Sequence, residues 1–208
     1  SNCTIQKCLN GIVLIGDFRA SVENSIIEDC EHLGIKVGMC NRSKIIYNTI
    51  RRNSTGIDYC NSDPIISNNL VFKTDETALL VNLNNSSAAA EKSSSTSSAK
   101  MRGWGSLYWY HEQAYIVSNS SVSFNGKCGI LVEKGANPHI FKNIIEKNLG
   151  QGILLTEGSS AFIEKNEICS NIKANIALGG RCSINTTIIE NKIRGGKCEG
   201  IFTIYGER

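Results

Sequence analysis

Short apolar runs recur along this chain, and most of them open on glycine-isoleucine. The dipeptide stands at Gly11-Ile12, Gly34-Ile35, Gly56-Ile57, Gly129-Ile130, Gly152-Ile153 and Gly200-Ile201, with degenerate copies at Ala78-Leu79 and Asn175-Ile176. Successive spacings are 23, 22, 22, 51, 23, 23 and 25 residues. Within each run the first and third residues after the glycine position are nearly all apolar. The first set is Ile12, Ile35, Ile57, Leu79, Ile130, Ile153, Ile176 and Ile201; the third is Leu14, Val37, Tyr59, Val81, Val132, Leu155, Leu178 and Thr203. Alternate side chains of a strand face one way, so both sets are predicted to point into a core.

A second marker, I-x-x-N-x-I, runs from Ile45 to Ile50, Ile140 to Ile145, Ile163 to Ile168 and Ile188 to Ile193, with a variant from Ile65 to Leu70. Asn24 and Asn119 are assigned the same place in the remaining coils. A third marker is an asparagine three or four residues before the glycine: Asn53, Asn125, Asn148 and Asn171, with Cys30 in one coil. Three short runs separated by turns within one period do not suit a helix pair. They predict one triangular coil of a solenoid.

The predicted fold is all-β: a single-stranded right-handed parallel β-helix of about eight coils of 22–25 residues. Coils rise ~4.8 Å each, so the stack would be roughly 35–40 Å tall. Like residues then stack on like. The asparagines fall at corners, where stacked amides can bond each other and where Asn tolerates the left-handed conformation. Asn143, Asn166 and Asn191 are expected to form one such ladder. The repeat glycine is expected to supply a bend. Neither end shows an amphipathic capping helix, and solenoids need caps. The pattern therefore predicts a segment of a longer chain, or end-to-end packing.

The 51-residue spacing marks an insertion at about 84–113 in what otherwise reads as one β-helix domain over residues 1–208. It begins as low-complexity NNSSAAAEKSSSTSS and continues as MRGWGSLYWYHE, which contains Trp104, Tyr108, Trp109 and Tyr110. It leaves the corner just after a Gly-Ile-type strand. Either the aromatics cover this protein's own sheet, or they form an exposed binding loop.

Composition changes this picture little. Net charge is +3, too small to argue for nucleic acid. No apolar run approaches a membrane span, and no signal peptide is visible. The 9 cysteines show no C-x-x-C pair and no metal spacing with the 3 histidines, so no metal or cofactor is expected. They read as small hydrophobes in a reducing, intracellular compartment, cytoplasmic or nuclear. Cys8 and Cys30 hold similar repeat positions and are expected side by side.

Chemistry is sought on the outward positions of the Gly-Ile strands. There Asp58 and Glu133 are the only carboxylates, and they read as well separated in coil number. A glycosidase needs two carboxyls roughly 5–9.5 Å apart, and a Ca²⁺-assisted lyase needs clustered oxygens and a base. His32, His111 and His139 fall at unrelated positions, and Asp63-Pro64 reads as a turn. No catalytic residue is assigned. The same face carries an apolar stripe of Leu131, Leu154, Ala177 and Phe202, with Val13 and Leu80. These residues, flanked by Trp104 and Trp109, are the candidate binding site for a protein partner.

The repeat pattern G-I-x-V-x-x-G-x-x-P-x-I-x-x-N-x-I-x-x-N-x-x-x-G-I resembles that of the pectin-lyase-like superfamily. Gly129 to Gly180 looks most like the β-helix domain of F-box-only proteins. The resemblance lies in the turn Gly135-Ala136-Asn137-Pro138 and in the segment Gly158-Ser159-Ser160-Ala161-Phe162-Ile163-Glu164-Lys165-Asn166. In that family the F-box engages a cullin–RING ubiquitin ligase and the β-helix recruits the protein substrate. The resemblance thus implies a non-catalytic substrate-recruiting or scaffolding module. No F-box is visible in these residues, and the serine-rich insertion departs from the family pattern. The alternative is a carbohydrate-binding or carbohydrate-active β-helix.

Overall fold

A computed structural model of the chain describes residues 1–16, 19–39, 43–62, 64–82, 116–156, 158–179 and 185–203. Their 23 strands form three parallel sheets in which each strand pairs with those three before and three after it in sequence. The result is a right-handed parallel β-solenoid of about seven turns. The first sheet has eight strands, from Thr4–Gln6 to Lys192–Arg194. The third has seven, from Ser21–Glu23 to Thr187–Ile189.

The second sheet contains the Gly-Ile runs. Its eight strands are Ile12–Ile15, Leu33–Gly38, Thr55–Cys60, Leu79–Asn82, Ile130–Glu133, Ile153–Leu155, Ile176–Leu178 and Ile201–Thr203. All eight markers become neighbours in register, Ile12 on Ile35 through to Ile176 on Ile201. Eight strands make seven steps of ~4.8 Å, about 34 Å in all.

The core follows from this stacking. Ile35, Ile57, Leu79, Ile130, Ile153 and Ile176 are fully buried in one column. Ile50, Val71, Val122, Ile145 and Ile168 face them from the first sheet, and Ile45, Ile66, Ile140 and Ile163 from the third. Each such side chain contributes ~1.5–3 kcal/mol by leaving water. The columns loosen at the ends: Ile12 is only partly buried and Ile201 is 47% exposed.

Two polar ladders hold the corners. In one, the N–H and Nδ2 of Asn143 both donate to Asn166 Oδ1, at 2.9 and 3.0 Å, and Asn166 donates likewise to Asn191 Oδ1 at 2.9 Å. Each amide also donates to a core-strand carbonyl: Asn143 to Val117, Asn166 to Ile140 and Asn191 to Ile163. In the other ladder, Asn125 bonds Asn148, which bonds Asn171. All of these amides except the partly exposed Asn191 are buried, so losing a partner would leave a costly unpaired group.

The ladder register differs from the sequence expectation in three coils. Ser25, Asn69 and Ser120 hold the ladder place, not Asn24, Asn68 and Asn119; the true variant motif runs Ile66 to Val71. The displaced asparagines sit one residue earlier with φ of 49°, 56° and 48°. Tyr47, Lys142, Lys165 and Glu190 occupy that left-handed position in other coils. Asn suits left-handed backbone, so two adjacent positions favour it for different reasons.

The role of the repeat glycine also differs from expectation. Gly152 is needed for close approach rather than for a bend. A Cβ there would meet Asn175 O at 2.5 Å and the ladder amide of Asn171 at 2.7 Å. In the next coil the arrangement changes. Asn175 takes the glycine place there and accepts from Asn171 Nδ2 at 2.8 Å; one coil further on, Gly196 stands in the ladder place beyond Asn171. Cys8 and Cys30 stand in this same corner column in adjacent coils, both as free thiols.

Candidate functional site

The outer face of the second sheet carries the residues that alternate with the core columns. One outward column reads Val13, Lys36, Asp58, Leu80, Leu131, Leu154, Ala177 and Phe202, each paired with the next. Leu80, Leu131 and Leu154 are half-buried and adjacent, and Phe202 is 38% exposed. Ala177, expected within the exposed stripe, is only 3% exposed. Its methyl is short and lies between Leu154 and Phe202 in the ladder, so it supports the stripe without offering surface.

The carboxylates are nearer to each other than the sequence reading places them. Asp58 and Glu133 lie on strands separated only by Leu79–Asn82. Asp58 pairs in register with Leu80, and Glu133 with Asn82. Asn82 Nδ2 donates to Asp58 Oδ1 at 3.3 Å, and Lys134 pairs with Glu133 at 3.4 Å. Burial pushes the Asp58 carboxyl above its ordinary range. Lys36, the Asn82 hydrogen bond and Lys134 oppose that rise, while the charge of Glu133 adds to it. Lys36, Asp58, Asn82, Glu133 and Lys134 therefore form one polar group beside the apolar stripe. A carboxyl that burial makes harder to ionise, set beside a second carboxyl and two lysines, can bind polar ligands or exchange a proton.

A groove of about 350 Å³ opens where the first sheet turns into the second, with Leu131, Leu149, Leu154, Gly150, Lys127 and Lys173 among its lining residues. Leu149 is 59% exposed. Backbone hydrogen bonds stack Glu76, Lys127, Gly150 and Lys173 in one corner column. The sequence reading missed this groove, because the column has no repeating residue type.

Elsewhere, the third sheet brings His139 within 3.3 Å of Glu164 and stacks it edge-on against Phe162 at 5.0 Å. Trp104, Trp109, His111 and Asp63, and the insertion at about 84–113, lie outside the described residues. Among the described residues no cluster of three or more metal-ligating side chains occurs, and no helix is long and apolar enough to cross a membrane.

This architecture defines a parallel β-helix protein. Residues 1–101 and 80–208 match the family described as the right handed beta helix region, and the chain belongs to it. A comparison with curated proteins finds no match. Among solved structures, the chain is similar to the A-module of the mannuronan C-5 epimerase AlgE4 of Azotobacter vinelandii. The TM-score is 0.62 and the identity 15%, over 98% of this chain and 64% of that one. The chain thus spans less than two thirds of that module, and the likeness is one of fold.

Proposed function

We propose that this β-helix is a non-catalytic protein-interaction module that holds a partner against the outer face of its second sheet. The observation that carries the reading is the register of Leu80, Leu131 and Leu154, an unbroken apolar stripe that continues into the groove at Leu149. Adjacent half-buried leucines on a flat sheet lose water to a partner at little cost in order. The resemblance of the repeat turns to β-helix F-box proteins extends the proposal. The partner is a substrate, and the module is the recruiting part of a ubiquitin ligase subunit in an intracellular compartment. The test is retention from a cell extract by the immobilised chain and by its Leu154→Asp variant. Proteins held by the first and lost by the second, with unchanged circular dichroism, support the reading; identical retention overturns it.

A second reading, a carbohydrate-active β-helix, is favoured by the Asp58 group alone. In it Asp58 and Glu133 would share acid and base work on a sugar laid along the sheet, with Lys36 and Lys134 binding its carboxylates. Incubation with uronate polysaccharides tests it. Product formation that disappears in Asp58→Asn would establish this reading and displace the first.

A further inference from the structure

The corner groove is apolar at its floor and cationic at its rim, and its shape is fixed by one residue. Lys127, Gly150 and Lys173 follow one another in the corner column, linked by Gly150 N–H to Lys127 O at 2.8 Å and Lys173 N–H to Gly150 O at 3.1 Å. Two coil steps put the lysine backbones roughly 9.6 Å apart. No side chain can fill the interval, because a Cβ on Gly150 would meet the Lys127 carbonyl carbon and oxygen at 2.7 Å. The notch between the lysines is therefore built into the backbone.

The charges around it are unbalanced. Lys173 makes no ion pair among the described residues. Lys127 pairs with Glu76 at 2.8 Å, but both side chains are exposed, at 61% and 48%. An exposed pair of this kind holds its members weakly, so Lys127 is free to turn to a better-placed anion. Both ammonium groups act on the Cys128 thiol at the groove floor, opposing the rise that burial imposes on it. Their fields thus reach into the groove.

We propose that the groove selects an extended partner segment carrying a carboxylate side chain two residues from an apolar one. In an extended chain these two side chains share a face. The carboxylate sits over Gly150 between Lys127 and Lys173, and the apolar side chain lies against Leu149, Leu131 and Leu154. The inference rests on the interaction-module reading and names the chemistry of the partner at that same face.

Fluorescence anisotropy tests it with two labelled peptides, one built on Glu-Ser-Leu-Ser-Leu and its Gln-Ser-Leu-Ser-Leu isostere. The expected result is about tenfold tighter binding of the Glu peptide, a preference that shrinks with added salt and vanishes in Lys173→Glu. Equal binding of the two peptides that is lost in Leu154→Asp would overturn the charge selection and leave the interaction face standing. Absence of binding by either peptide, or binding indifferent to Leu154→Asp, would overturn both.

Discussion

The inner and outer columns of the second sheet share one backbone and differ in almost everything else. Inward, six consecutive coils place Ile35, Ile57, Leu79, Ile130, Ile153 and Ile176, all fully buried. Outward, one residue further on, the same coils place Lys36, Asp58, Leu80, Leu131, Leu154 and Ala177. An inward side chain is confined from above, below and the two other sheets, so volume and polarity are dictated. An outward side chain meets only its neighbours in the ladder. Uniformity inside therefore reports the fold, and variation outside is where binding chemistry can be encoded.

The inner column should break hardest. Ile153→Asn removes a buried aliphatic side chain and strands an amide among its neighbours, and should cost about 3–5 kcal/mol. An unchanged urea midpoint would contradict the stacking. The corner comes next. Asn166→Ala deprives Asn143 N–H and Nδ2 of their shared acceptor and removes the side-chain donor to Asn191 Oδ1 and to Ile140 O, leaving only the backbone N–H of residue 166 on Asn191, which should cost ~1–3 kcal/mol in denaturant titration.

The polar end of the outer column should respond to pH rather than to simple truncation. Burial raises the Asp58 carboxyl, so the folded protein holds this proton more tightly than the unfolded chain does. Stability from this group is full below the ordinary aspartate range and is lost as pH rises through the folded value. Asp58→Asn should therefore raise the melting temperature slightly near neutral pH and leave it unchanged in acid. A gain that is the same at both pH values would remove Asp58 from the buried polar group. The smallest stability effect belongs to the apolar stripe: Leu154→Asp should shift thermal unfolding by less than about 0.5 kcal/mol. A shift as large as that of Ile153→Asn would mean that Leu154 belongs to the core.

The same contrast explains what could be read in advance. The Gly-Ile period was legible because every inner residue repeats, and the strand registers follow it from Ile12 to Ile201. The asparagine ladder was legible where one asparagine marks the corner, as at Asn143, Asn166 and Asn191. It slipped by one residue at Asn24, Asn68 and Asn119, where a left-handed neighbour also favours asparagine. The approach of Asp58 to Glu133 escaped the sequence because the insertion separates them along the chain but not in the ladder. The corner groove escaped it because Gly150 acts by lacking a side chain between two lysines.

The most direct test of the interaction face places a photo-crosslinking benzoylphenylalanine at Leu154 on the outer second sheet. A control places it at Ile144, 46% exposed on the outer face of the first sheet. Both chains are irradiated in the cells that produce the protein. The account predicts discrete protein adducts at Leu154 and none at Ile144. Adducts at Ile144 alone, equal adducts at both positions, or none at either would contradict it.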